Sequence, residues 1–317
     1  MAAARTLRIG TRGSELALVQ TRRVRAGLAL PSEVVVIATR GDQSAEAPLG
    51  DPASVGLFTT EIEARLLDGT IDAAVHSLKD LPALPAPGLA IGALLERSSP
   101  SDLLLVHPGA LDRAAPLHLK AGARVGTSSR RRAASLAQFA PQALARPIRG
   151  NVPTRVAKAA RGDYDAVVLA RAGLERLALD ASPLAALDLN PEVWICAPGQ
   201  GVIAVEIRAD DAEVAEAVRA LDCEETAACA RLERDCLQLF GGGCRAPFGA
   251  FARGEGGRFE LFVAAFRGGA DASRRFSGAG AEALLTLAAA WATGAGEDTG
   301  EPITPAWVAR PATPWCG

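Results

Sequence analysis

The sequence predicts an α/β protein: two successive units in which short strands feed helices, followed by a smaller α+β segment. Three observations carry this. Up to about Arg208, short apolar or β-branched runs alternate with stretches of helical length, the pattern of a mainly parallel sheet covered by helices. From Asp210 the order changes to two helices, three strands and a helix. And 317 residues exceed what one small core organises, so two or three domains are expected. The composition, 49% hydrophobic and 22% charged with a formal net charge of −2, is that of a globular chain. The longest apolar run, Ala283 to Ala292, is too short to span a bilayer, and Met1 to Ile9 lack the apolar core of an export signal. No membrane partner and a cytoplasmic location are therefore expected.

Leu7 to Thr11 predicts a strand. Arg12-Gly13-Ser14 turns into a helix from about Glu15 to Ala29, with Ser14 as its N-cap, and valine-rich Glu33 to Thr39 predicts a second strand. The turn is not GxGxxG, so no dinucleotide site is predicted. Ligands of open α/β sheets lie beyond the carboxyl ends of strands, where Arg12 and Ser14 fall. Gly41 to Gly56 has no periodicity and predicts a long loop, a lid or an insertion. A helix over Phe58 to Asp68 and a buried strand over Asp72 to His76 follow. The strand runs out into Ser77-Leu78-Lys79-Asp80-Leu81-Pro82. A Lys-Asp pair there suits chemistry, and it equally suits a solvated turn. The lysine draws notice because the chain has only Lys79, Lys120 and Lys158, arginine having taken the other basic positions. An ammonium is compact where a guanidinium is not. No lysine follows a glycine, which excludes a Walker A phosphate loop.

After strands over Leu89 to Leu95 and Asp102 to His107, joined by the linker Arg97 to Ser101, a second α/β unit begins. Strand Arg124 to Gly126 leads through Thr127-Ser128-Ser129-Arg130-Arg131-Arg132 into a helix ending near Phe139. Strand Arg146 to Ile148 leads through Arg149-Gly150-Asn151-Val152-Pro153-Thr154-Arg155 into another, and strand Asp165 to Leu169 into a helix through Leu177. Between Asp112 and Asp163 there is no acidic residue but many arginines, a local anion site in a chain acidic overall. Nucleic acid is disfavoured as the anion, because aromatic residues are only 4% of the chain and this stretch offers just Phe139 for stacking. Small polycarboxylates or phosphates suit arginines at helix starts. Val193 to Cys196 predicts a strand entering the turn Pro198-Gly199-Gln200-Gly201, and Val202 to Arg208 a strand returning to the first sheet.

The C-terminal segment predicts helices over Asp211 to Leu221 and Glu224 to Phe240, strands near Phe248–Ala252, Phe259–Phe266 and Ser273–Ser277, and a helix from Glu282 to Thr293. The tail after Gly294 has no clear pattern. Of Cys196, Cys223, Cys229, Cys236, Cys244 and Cys316, none forms a CxxC pair or has a neighbouring histidine, so neither a metal site nor a disulfide framework is predicted. Cys229 and Cys236 share a helix face and read as core. Cys244 differs. It follows Gly241-Gly242-Gly243 and precedes Pro247, on a backbone that cannot stay helical. It is either a small hydrophobe in a turn or a thiol with room for a large group on its sulfur.

Six motifs occur in order: Thr11-Arg12-Gly13-Ser14-Glu15-Leu16-Ala17, His76 to Pro82, Gly126 to Arg132, Arg149 to Arg155, Pro198 to Gly201 and Gly242-Gly243-Cys244. Together they closely resemble the porphobilinogen deaminase (hydroxymethylbilane synthase) family of tetrapyrrole biosynthesis, up to about residue 249. The resemblance implies two domains like the halves of a periplasmic binding protein with the active site in their cleft, and a smaller α+β domain. Domain 1 would take residues 1–98 and 195–217, domain 2 residues 99–194, and domain 3 residues 218–317. It implies a dipyrromethane cofactor on Cys244, a primer onto which four porphobilinogen units are added with loss of ammonia before water releases hydroxymethylbilane. Asp80, with Lys79, would be catalytic. Those two with Thr127, Ser128, Ser129, Arg131 and Arg132 would hold the cofactor. Arg12, Ser14, Arg149, Arg155, Arg176 and Gln200 would hold the acetate and propionate groups of the substrate chain. No metal, no nucleic acid and a monomer are expected. Two departures stand out: Val55 and Thr60 replace lysines usual in the family, and Arg130 stands where leucine is common. Two other functions fit parts of the sequence. A binding module explains the arginines but not Cys244, and a phosphoribosyltransferase would need a pyrophosphate loop that is absent.

Overall fold

In the computed structural model, described over residues 5–39, 59–241, 247–266, 273–293, 300–303 and 308–312, the chain divides into two units. One is Met1–Ser98 with Gly201–Arg231, and the other Ser99–Gln200 with Leu232–Gly317. The elements run β1 (Leu7–Arg12), α1 (Glu15–Ala26), β2 (Ser32–Ile37), α2 (Thr60–Leu67), β3 (Ala73–Ser77), β4 (Leu89–Leu94), β5 (Asp102–Val106), β6 (Arg124–Gly126), α3 (Arg130–Phe139), β7 (Leu144–Arg146) and α4 (Val152–Ala160). They continue β8 (Ala166–Ala170), α5 (Arg171–Leu177), β9 (Ala185–Leu189), β10 (Ile203–Arg208), α6 (Ala212–Arg219), α7 (Glu224–Leu239), β11 (Phe248–Glu255), β12 (Arg258–Ala265), β13 (Ser273–Ala279), α8 (Ala281–Thr293), β14 (Glu301–Pro302) and β15 (Ala309–Pro311).

The first unit is built on a five-stranded sheet in the order β2-β1-β3-β10-β4. β1 pairs in parallel with β2 and β3, while β10 runs antiparallel to β3 and β4. As expected, the chain returns to the first sheet through β10. Both faces are covered, which is why β3 and β10 read as almost unbroken apolar runs. Leu7, Ile9, Val75, Ile203 and Val205 pack with Val24 of α1 and Val214 and Val218 of α6. Ile37, Ile71 and Ala74 pack with Ile62 and Leu66 of α2.

The second unit holds two sheets. A six-stranded sheet has the order β15-β9-β5-β8-β6-β7, and an antiparallel sheet the order β11-β12-β13-β14. Its main core, among Leu104, Val125, Leu136, Val168, Leu187 and Trp194, joins the larger sheet to α3. Ile195 and Cys196 pack with Phe251 and Phe262 of the smaller sheet.

Two expectations are corrected here. Residues 193–196 form no strand: Asn190 C=O accepts from Val193 N and Trp194 N in a turn, and Cys196 C=O accepts from Ala250 N of β11 at 3.1 Å. And 185–189, not predicted as a strand, is β9, paired antiparallel with β5. Its alanines and Asp188 have low strand propensity, and burial between two partners overrides that. The tail also contributes β15, which covers the far edge of β9. Gly41 to Gly56 with Val55, and Cys244, lie outside the described residues.

Candidate functional site

In the first unit, β1 ends in Arg12, which is half-buried. Ser14 caps α1, its Oγ accepting from Ala17 N at 3.3 Å. β3 delivers the Lys79-Asp80 pair in a single 3-10 turn, Leu78–Asp80. Asp80 is exposed and Lys79 half-buried. The turn is pinned on its near side. The Gln20 side chain of α1 donates to Ser77 Oγ at 2.9 Å, and Leu78 N donates to Val202 C=O at 3.0 Å. Leu78 and Leu81 are buried with Leu94, Val202 and Ala227. The carboxylate thus stands in solvent on an anchored backbone. Behind it, buried His76 Nε2 lies 3.2 Å from Glu206 Oε2 of β10.

In the second unit, β6 opens into Thr127, Ser128 and Ser129 before α3. Ser129 caps α3, accepting from Arg132 N at 3.4 Å, and Thr127 Oγ1 accepts from Ser129 N at 3.2 Å. Ser128 Oγ donates to Ile148 C=O at 2.5 Å and accepts from Ile148 N at 3.1 Å, so its hydroxyl ties this turn to the segment before Arg149. Arg131 and Arg132 follow in the first turn of α3, only 5% and 8% exposed. Arg130 beside them is exposed, as is Thr60 at the start of α2.

Buried guanidiniums need acceptors. Asp102, first residue of β5 and fully buried, provides them: Arg132 Nε and Nη2 reach its two oxygens at 3.1 and 2.7 Å, and Arg131 Nη2 reaches it at 2.9 Å. Val168 C=O and Ile195 C=O accept from the Nη1 groups of Arg132 and Arg131. Two cations therefore share one carboxylate. The Nε–H of Arg131 is buried and meets no acceptor among the described residues. Arg155 of α4, half-buried, donates from Nε to Gly150 C=O at 2.7 Å. Burial, and after it the charge of Arg132, push its pKa down from the usual arginine range. Asn151 caps α4, and Gly150 before it sits at φ +109°. Arg149 and Arg176 are half-buried on the loop after Ile148 and in the last turn of α5.

Gln200 is buried. Its Nε2 donates to Pro100 C=O at 2.7 Å and to Asp102 Oδ1 at 2.9 Å, so the structure places its amide nitrogen inside the fold. The turn it belongs to is held by Glu233 of α7, whose carboxylate accepts from Gly199 N and from Ala252 N of β11, each at 2.7 Å. β11 comes close here. A Cβ on Gly249 would lie 2.8 Å from Ile195 C=O, 2.9 Å from Cys196 C=O and 3.2 Å from the Arg131 side chain. Only glycine allows that approach, and it brings the strand that follows the Cys244 segment beside Arg131. Among the described cysteines, Cys196, Cys229 and Cys236 are buried. Burial, with Glu233 and Asp235 nearby, pushes the Cys236 thiol up to about 12, which makes it inert as a nucleophile.

A dipyrromethane carries several carboxylates, and the donor set fits it. Excess guanidinium charge, an orphaned buried Nε–H and a glycine-tight strand all fall in the second unit. Sequence reasoning missed Asp102, Trp194 and Glu233 as supports. One signal was available: arginines without any acid between residues 112 and 163 must draw a counter-charge from outside that stretch, and Asp102 is an acid at the head of an apolar strand.

Comparison with known proteins agrees with this chemistry. A family model described as porphobilinogen deaminase, dipyromethane cofactor binding domain, matches residues 7–216. The chain is 46% identical over 261 residues to the porphobilinogen deaminase of Roseiflexus sp. (strain RS-1), covering 81% of this chain and 84% of that one. It is 45% identical over 275 residues to that of Xanthomonas campestris pv. campestris (strain B100), covering 85% and 88%. Among solved structures it has a distant likeness to the ancestral amino acid-binding protein AncCDT-1, a precursor of cyclohexadienyl dehydratase, with a TM-score of 0.37 and 15% identity over 68% of this chain and 86% of that one. With the family model matching from residue 7 through 216 and relatives of that name 45–46% identical over most of its length, the chain belongs to the porphobilinogen deaminase family, transferases with a dipyrromethane cofactor.

Proposed function

We propose that the chain joins four porphobilinogen molecules head to tail, with loss of ammonia, onto a dipyrromethane held by Cys244, and releases hydroxymethylbilane. The observation that carries this is the excess of buried guanidinium over carboxylate around Asp102, where two arginines share one carboxylate. When bound, the dipyrromethane supplies the pyrrole carbon to which new units are joined. Arg131, Arg132 and Lys79 bind its carboxylates, with Thr127, Ser128 and Ser129 shaping the turn that starts α3. Arg12, Arg149, Arg155 and Arg176 bind the carboxylates of incoming units, and Ser14 adds the N-terminus of α1. Gln200 supports Arg131 and Arg132 from within the fold through Asp102. Asp80, exposed on its pinned turn, accepts pyrrole N–H bonds and stabilises the cation left when ammonia departs. A charge-assisted bond of this kind is worth roughly 1.5–3 kcal/mol. The division into domains at 1–98 with 195–217, 99–194 and 218–317 belongs to the same reading, as do a monomeric state and a cytoplasmic location. Among the described residues no helix is long and apolar enough to cross a membrane.

The test is the intact mass of the purified protein together with colour from an aldehyde reagent for pyrroles. Two additional pyrrole units, lost in Cys244→Ser, and conversion of porphobilinogen with release of ammonia are expected. A protein of unmodified mass that binds porphobilinogen without consuming it would be a binding module instead.

A further inference from the structure

Asp102 is fully buried, and Arg131, Arg132 and Gln200 converge on it. Its Oδ1 accepts from Arg132 Nη2 at 2.7 Å and Gln200 Nε2 at 2.9 Å. Its Oδ2 accepts from Arg131 Nη2 at 2.9 Å, Trp194 Nε1 at 3.0 Å and Arg132 Nε at 3.1 Å. A carboxylate has about four lone-pair sites, so this one is saturated by protein donors and leaves none for a ligand. The two arginines are held differently. Arg132 lies side-on across both oxygens, which fixes the plane of its guanidinium. Arg131 touches Asp102 through one nitrogen and Ile195 C=O through another, and among the described residues its buried Nε–H meets no acceptor.

We propose that Asp102 is a positioning residue that fixes Arg131 and Arg132 so that their unneutralised charge is presented to the carboxylates of the bound pyrrole chain. The inference rests on the function proposed above. A plain counter-ion needs only to be near its cations. Asp102 is itself oriented by two neutral donors, Trp194 and Gln200, which add no charge balance and serve to fix the carboxylate's plane. One carboxylate against two guanidiniums leaves positive charge over.

The experiment compares Asp102→Asn, Asp102→Glu and Leu187→Ala. The last opens a cavity in the core of the same unit and lowers stability without touching the arginines. The readouts are the fraction of purified protein carrying two extra pyrrole units by intact mass, KM and kcat for porphobilinogen, and Tm. In Asp102→Asn the loaded fraction is expected to fall well below wild type, and KM of the remainder to rise about tenfold or more, as misplaced binding groups do. Leu187→Ala at similar Tm should load fully with unchanged KM. If Asp102→Asn does not fold, Asp102→Glu, which keeps the charge and moves it by one methylene, decides on the same readouts: a raised KM with reduced loading supports positioning. Loading and KM that match Leu187→Ala at matched Tm would reduce Asp102 to a structural counter-ion and overturn the proposal. Wild-type protein with no extra mass and no consumption of porphobilinogen would overturn the function and this inference together.

Discussion

Asp80 and Cys236 mark two extremes of side-chain environment, and each yields its own prediction. Asp80 is exposed on a turn whose anchoring comes from Gln20, Val202 and the buried Leu78, not from its own carboxylate. Asp80→Glu should therefore leave Tm within the small range typical of surface changes. Moving the charge by about 1 Å should cut turnover on the order of a hundredfold. Intact mass should still show the cofactor. Single-turnover rates and thermal melts check both halves, and near-normal turnover in Asp80→Ala would remove the residue from the mechanism. Cys236 is the reverse case: fully buried, its thiol held neutral. Cys236→Ser should keep the cofactor mass, and it should lose about 1–3 kcal/mol of stability because its hydroxyl is buried. Cys244→Ser should fold but lose the mass. Equal loss of cofactor from both variants would undo the assignment of the anchor.

At the scale of an element, the start of α4 shows how a backbone conformation sets an arginine. Gly150 sits at φ +109°, its carbonyl accepts from Arg155 Nε, and a Cβ there would come within 2.6–2.8 Å of Thr154. Gly162 after the same helix also has positive φ, 81°, but nothing lies within 4 Å of its would-be Cβ. Gly162→Ala should therefore cost only the left-handed penalty of about 1–2 kcal/mol, with KM for porphobilinogen unchanged. Gly150→Ala should cost more than that and raise KM severalfold, because relief of the Thr154 clash shifts the carbonyl that holds Arg155. Urea unfolding and steady-state kinetics on the pair separate the two effects. Equal KM values would mean that Arg155 does not depend on this turn.

For the whole molecule, acid sensitivity is concentrated at Asp72, whose side chain is 1% exposed beneath Arg5 and Arg8. Burial alone would raise its carboxyl pKa. The hydrogen bonds from the side chain and backbone of Arg8 and from Arg5 outweigh burial and hold it well below the usual carboxylate range. Because the folded pKa is depressed, the contribution is complete above the unfolded value of about 4 and is lost as pH falls through the folded pKa. Urea unfolding at pH 7, 4 and 3 should show falling stability in the native protein. In Asp72→Asn the stability should already be lower at pH 7, by roughly 3–5 kcal/mol for a buried pair broken on one side, and its decline toward pH 3 should be shallower. An unchanged slope would place the acid-labile group elsewhere.

The sequence by itself determined the two α/β units, the return of Val202 to Arg208 to the first sheet, the helix starts at Ser14 and Ser129, and the acid-free, arginine-rich character of residues 113–162. All of these follow from local periodicity, caps and composition. Segments 185–189 and 193–196 went the other way. Ala185, Ala186 and Asp188 are poor strand formers that pairing on both sides made a strand, and Val193 to Cys196 looks like a strand although its backbone serves Arg131 and Ala250 instead. Only the tertiary structure decided that Gln200 is buried, that the Ser128 hydroxyl is tied to the Ile148 backbone, and that Asp102 gathers Arg131, Arg132, Trp194 and Gln200. Those groups lie 29 to 98 positions from Asp102 along the chain. A desolvated charge takes whichever donor the packing brings within hydrogen-bond reach, and spacing in the sequence carries no record of that choice.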